Sequence, residues 1–131
     1  MKKLTEEDII QIAALLIHAA KIDENYSEKE KTIVKEFINS TSNNNNNLQK
    51  LIFEAEKLEK DSNQLLSFTN AIKNNTNETK SFVIEKLWQI IISDKNIDHF
   101  ESNLMRRICG LIYFSDKLSG EIKLKIMNKN K

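Results

Sequence analysis

The chain predicts an all-α protein, a single helical bundle of about six to seven helices with an internal pseudo-two-fold duplication. Three observations carry this. The 131 residues contain no proline and two glycines, so the usual chain breakers are nearly absent. Apolar residues recur at three- and four-residue spacing, and no useful stretch alternates with period two. Finally, Asp23-Glu24-Asn25-Tyr26-Ser27-Glu28-Lys29-Glu30 returns as Asp94-Lys95-Asn96-Ile97-Asp98-His99-Phe100-Glu101, with Asp23 to Asp94 and Glu30 to Glu101 both 71 positions apart.

Thr5-Glu6-Glu7-Asp8 opens the first helix, expected to run to about Ile22. Its apolar residues, among them Ile9, Ile12, Leu15, Leu16 and Ala19, cover most of its circumference, the pattern of an enclosed central helix. Ser27 to Glu30 reads Ser-Xaa-Xaa-Glu, a capping box that starts an amphipathic second helix bearing Ile33, Val34, Phe37 and Ile38. Ser40 through Asn47 has neither periodicity nor apolar content and is expected to form a mobile Asn-rich loop (40–47). Leu48, Leu51, Ile52, Ala55 and Leu58 mark a third helix. Asp61-Ser62-Asn63-Gln64 is expected to cap a fourth carrying Leu65, Phe68, Ala71 and Ile72. After a break at Asn74 to Asn77, Phe82, Ile84, Leu87, Trp88, Ile91 and Ile92 define a fifth helix. Leu104, Met105, Ile108, Leu111 and Ile112 define its partner. A short last helix is expected from Ser119 to about Met127, although the two-residue spacing of Ile122, Leu124 and Ile126 sits awkwardly on it.

The flanks of the two acidic elbows match at the same offset: Leu16 with Leu87, Ile17 with Trp88, Ala19 with Ile90, Phe37 with Ile108. One domain (1–131) is therefore expected, with repeat one at about 5–39 and repeat two at about 77–114. Two roles stand open for the elbows. Ser27 and Asp98 as N-caps, with Glu30 and Glu101 bonding back three residues later, account for the glutamates structurally. Asp23 and Asp94, however, fall at helix ends, where the dipole disfavours negative charge by about 0.3–1 kcal/mol. A hard cation such as calcium or magnesium takes about six to eight oxygens. Asp23, Asn25, Glu30, Asp94, Asn96 and Glu101 would supply six if the elbows face each other. The spacing is not that of an EF-hand, which needs Gly at loop position 6 and Glu at position 12.

A net charge of +1 provides no global field for nucleic acid, so no nucleic-acid partner is expected. The terminal Lys123, Lys125, Lys129 and Lys131 leave peripheral contact with an anionic membrane open, and no apolar stretch reaches the length of a transmembrane span. Cys109, the single cysteine, excludes an internal disulfide and reads as a buried thiol. His18 and His99 read as structural. No secretion signal follows Met1-Lys2-Lys3, and a cytoplasmic address is expected. With no phosphate-binding glycine loop, nucleophile elbow or carboxylate pair with a base, an enzyme is not expected.

The duplicated pattern of an apolar helix ending in Asp, a short turn, an apolar residue, a Ser or Asp cap and then Glu resembles the TerB family of tellurite-resistance-associated proteins. The resemblance covers nearly the whole chain and is strongest over Leu16 to Ile38 and Leu87 to Cys109. It implies a helical bundle with internal pseudo-symmetry, of the kind found in bacterial stress-resistance operons and in membrane-anchored J-domain co-chaperones, with no established enzymatic activity. It also implies divalent-metal binding, carried by motif position onto Asp23, Glu30, Asp94 and Glu101. Where the family has glycine after each Asp, this chain has Glu24 and Lys95. The resemblance thus points to a stress-response module that takes a divalent cation, and alternatively to a metal-independent protein-interaction module.

Overall fold

The computed structural model describes residues 4–21, 27–41, 48–61, 65–93 and 99–129, without the side chains of residues 99–102 and 129. Among the described residues there are seven helices and no strands: α1 (Glu6–Ala20), α2 (Glu28–Thr41), α3 (Leu48–Asp61), α4 (Leu65–Lys73), α5 (Asn77–Ser93), α6 (His99–Ile112) and α7 (Asp116–Lys129). The all-α expectation and the helix number hold.

Several described boundaries have a local cause. The Thr5 hydroxyl accepts the Asp8 N–H at 3.0 Å and the Asp8 carboxylate accepts the Thr5 N–H at 3.4 Å, a reciprocal cap that starts α1. The Thr76 hydroxyl accepts the Thr79 N–H at 3.2 Å and starts α5. At the end of α6, Tyr113 takes a left-handed φ of 57° and the Phe114 N–H returns to the Cys109 carbonyl at 2.9 Å. This is a Schellman-type stop achieved without glycine. Gly110 lies three positions too early to serve.

Some boundaries differ from expectation. Ser40 and Thr41 remain in α2, their hydroxyls donating to the Glu36 and Phe37 carbonyls at 2.8 Å each. Residues 42–47 of the Asn-rich segment lie outside the described residues. Asp61 closes α3 rather than capping α4, and 62–64 are also outside. Helix α7 starts at Asp116, three residues before Ser119, because the Ser115 hydroxyl accepts the Leu118 N–H at 3.3 Å. The awkward apolar spacing then resolves. Ser119, Ile122 and Ile126 share the inner face, while Leu124 is exposed on the outer one.

Helices α1 and α5 form the centre and touch each other. Helix α2 leans on both, α3 and α4 cover α1, α7 covers α5, and α6 packs chiefly on α4. Ile12 through Ile17 are fully buried without interruption, as the all-round apolar sequence of α1 requires. A single core joins all seven helices, with Phe37, Phe68, Leu16 and Leu87 among its fully buried side chains. Among the described residues, no helix is long and apolar enough to cross a membrane.

Candidate functional site

The first elbow is approached from both sides by described residues. On the entry side α1 ends at Ala20 with Lys21 as its C-cap, so Asp23 follows two residues later. On the exit side Ser27 is the N-cap of α2: its carbonyl accepts the Lys31 N–H at 3.0 Å, and its hydroxyl accepts the Glu30 N–H at 3.3 Å. Glu30 completes the box, with Oε1 accepting the Ser27 N–H at 2.7 Å. The expected capping box is therefore present.

The structure adds that Glu30 is 0% exposed. A carboxylate taken out of water costs several kcal/mol unless it is hydrogen-bonded or paired. Its place in the first turn of α2, on free N–H groups and the positive end of the helix dipole, offsets part of that cost. A carboxylate so fixed loses little further freedom on meeting a cation. Of the other expected ligands, Asp23, Asn25, Asp94 and Asn96 lie outside the described residues, as does the cap Asp98, and Glu101 stands on α6 with its side chain outside them. Among the described residues, no three His, Cys, Asp or Glu side chains gather as a metal site would require.

Two polar clusters were not foreseen. Glu59 of α3 is buried and accepts from Lys21 at 2.9 Å, with His18 Nδ1 at 3.6 Å. The end of α1 is thereby tied to α3 immediately before the elbow. His18 also lies tilted against Phe68, with ring centroids 6.2 Å apart. The signal was in the sequence: Glu59 continues the apolar stripe of Leu48, Ile52 and Ala55. A charge at a stripe position marks a buried contact, but its partner 38 positions away cannot be read from spacing.

The second cluster joins α5, α6 and α7. The Trp88 indole N–H donates to the buried Ser119 hydroxyl at 2.9 Å, and Lys123 Nζ sits 5.0 Å from the centre of the Trp88 ring. Cys109 is buried as expected, and burial pushes its thiol above its ordinary range, with the hydrogen bond from Ser119 opposing and the charge of Asp116 adding. A neutral, enclosed thiol is a packing group rather than a nucleophile.

An all-helical bundle with two central helices and a capping-box elbow carrying a buried glutamate defines the class of this protein as a small helical module. Comparison with known families makes it specific: the family model described as tellurite resistance protein TerB matches residues 9–124, and the chain belongs to that family. Searches of curated proteins and of solved structures found no match.

Proposed function

We propose that this TerB family chain is a non-enzymatic module of a tellurite-resistance-like stress response that binds a divalent cation, calcium or magnesium, through its two acidic elbows. Asp23, Asn25 and Glu30 from the first elbow and Asp94, Asn96 and Glu101 from the second are the proposed ligands. The observation that supports this best is Glu30, a carboxylate held at full burial at the head of α2 with Oε1 fixed by the Ser27 N–H. Hard cations select such oxygen donors, and a preset one lowers the cost of assembling the shell. The helix ends add a second argument. Helix α5 stops at Ser93, so Asp94 is the next residue, at a terminus where negative charge is disfavoured and a bound cation would offset the penalty.

The test is the pair Asp23→Ala with Asp94→Ala, followed by urea unfolding with and without millimolar calcium or magnesium. A cation-binding parent gains about 2.7 kcal/mol at a cation concentration of about 100 Kd. The double variant is expected to lose that gain while its metal-free stability stays equal or rises slightly. Loss of stability in the metal-free double variant, with neither protein's midpoint moved by cation, would overturn the proposal and leave the aspartates as hydrogen-bond acceptors.

A further inference from the structure

Helices α4 and α6 pack side by side and run parallel, since Lys73 at the end of α4 meets Tyr113 just past the end of α6, its Nζ 5.3 Å from the ring centre. Seven residues earlier on each helix, two turns or about 10.5 Å, stand Leu66 and Arg106, both exposed. The two helices thus share one outward face. Leu66 and Tyr113, large side chains left 57% and 71% exposed, mark its opposite corners.

Two residues of this face work against the stability of the fold. Gly110 lies at the middle of the outward side of α6, opposite the buried Ile108 and Ile112, and a Cβ there would meet nothing within 4 Å. Packing does not require glycine at this point, yet glycine is the weakest helix former after proline. Tyr113, three positions on, holds the left-handed φ of 57° that glycine adopts without strain. Exchanging the two residue types would suit the backbone better at both positions. Departures from local preference gather at functional surfaces, and here two fall on one face. The missing side chain at Gly110 leaves a notch between Arg106 and Tyr113, about one turn from each.

The described charge of the face is of one sign. Arg106 and Arg107 are exposed and Lys73 is half-buried, and none of the three forms an ion pair among the described residues. Helix α4 contains no Asp or Glu, and α6 contains Glu101 alone. Such a face calls for an anionic occupant, and its corners and notch decide which. A phosphate backbone gains nothing from Leu66. A bilayer needs an apolar side chain at the summit of the face, where Gly110 offers none. A helix with leucines on one stripe and carboxylates beside it uses all three features, and the notch lets it approach the backbone of α6 closely.

We propose that the α4–α6 face docks an acidic amphipathic helix of a partner protein, its apolar stripe running from Leu66 over the Gly110 notch to Tyr113 and its carboxylates meeting Arg106, Arg107 and Lys73. The face is distinct from the elbows, and its occupation does not depend on whether they take a cation.

The probe is a synthetic helical peptide with leucines at i, i+4, i+7 and i+11 and glutamates on both flanks. It is titrated into the full chain, labelled with nitrogen-15, and followed by amide chemical shifts without added metal. Saturable shifts centred on Leu66, Asn70, Arg106, Gly110 and Tyr113 are expected, and the same peptide with lysines for glutamates should leave them unmoved. Arg107→Ala should weaken binding by up to about fivefold, as loss of a rim ion pair does. Gly110→Ala combined with Tyr113→Gly separates the fold from the binding. Its urea midpoint should equal or exceed the parent's, while its affinity for the peptide falls roughly tenfold or more. No saturable shift at millimolar peptide, shifts centred elsewhere, equal binding of the lysine peptide, or a double variant that binds undiminished or unfolds before the parent would each overturn the proposal. So would displacement of the peptide by phosphatidylserine vesicles or single-stranded DNA, or broadening of the same amides as the peptide-free chain is concentrated, which would assign the face to lipid, nucleic acid or a second copy.

Discussion

Helix α1 buries nine side chains, all aliphatic, whereas the nine that α5 buries include Thr79, Lys80, Lys86 and Trp88. At the 71-residue offset eight of the nine positions nonetheless match, the exception being buried Ala14, whose counterpart Glu85 is half-buried. Leu16 and Leu87 are both fully buried, as are Phe37 and Ile108 on the helices that follow, and Val34 and Met105 are buried alike. Ile9 is replaced by Lys80, Leu15 by Lys86 and Ile17 by Trp88, and every replacement stays buried. The place in the bundle sets the burial, and the surroundings set the chemistry. A lysine can substitute for an aliphatic residue where its stem packs and its amine escapes, as Lys86 does towards Glu36. The offset reaches further than the elbows. Helix α3 covers α1 as α7 covers α5, and the exposed apolar residues Phe53 and Leu124 on those outer helices are also 71 apart. The second helix of each pair does not follow suit: α2 leans on α1 and α5, whereas α6 packs chiefly on α4.

The largest expected effect tests whether the halves are equivalent in energy as well as in place. Leu16→Ala and Leu87→Ala should each lower the unfolding free energy by about 2–5 kcal/mol, since both remove a fully buried side chain from the shared core. Urea denaturation of the two variants decides it. Losses within about 1 kcal/mol of each other would sharpen the equivalence; a nearly neutral Leu87→Ala would break it, because a core leucine that can be truncated without penalty is not packed.

The helices were legible from sequence because each apolar stripe faces the one core, so period alone located them. Boundaries were less so where a cap competes with composition: Ser115, not Ser119, starts α7, and the hydroxyls of Ser40 and Thr41 keep α2 helical into a polar segment. The stripe positions held by polar residues were the missed signal. Glu30, Glu59 and Ser119 each sit where the stripe calls for an apolar side chain, and each is buried. Only the partner of Glu30 is local, three residues back at Ser27, and that contact was the one foreseen. Lys21 for Glu59 and Trp88 for Ser119 come from other helices, and tertiary packing alone brings them together. Of the candidate site, Glu30 and its cap are placed; the expected elbow ligands Asp23, Asn25, Asp94 and Asn96 lie outside the described residues.

A smaller effect is expected at a point where the halves use opposite means. Trp88 and Ser119 share a buried hydrogen bond, while the positions 71 earlier are Ile17 and Leu48, both apolar. Ser119→Ala strands the indole N–H and should lower stability by about 1–3 kcal/mol. Adding Trp88→Phe removes the stranded donor, so the double variant should fall short of the sum of its parts. Additive losses in a double-mutant cycle would mean that the indole N–H finds another acceptor, and the contrast with Ile17 and Leu48 would reduce to side-chain size.

The smallest expected effect addresses the elbows through their caps. Ser27→Ala removes the acceptor for the Glu30 N–H and should lower stability by about 0.5–2 kcal/mol, with or without divalent cation. Asp98→Ala should do the same if the second elbow is built as the first. The comparison is informative because the two caps differ in charge. An aspartate at an N-cap gains from the helix dipole as well as from its hydrogen bond, so its removal should cost at least as much as that of Ser27 and should grow milder as salt is raised. A loss at Ser27 with none at Asp98, read from urea midpoints at low and high salt, would show that the repeated sequence does not cap the second helix pair in the same way. Glu101 would then have no local reason to stand three residues after Asp98, and the case for it as a ligand would strengthen.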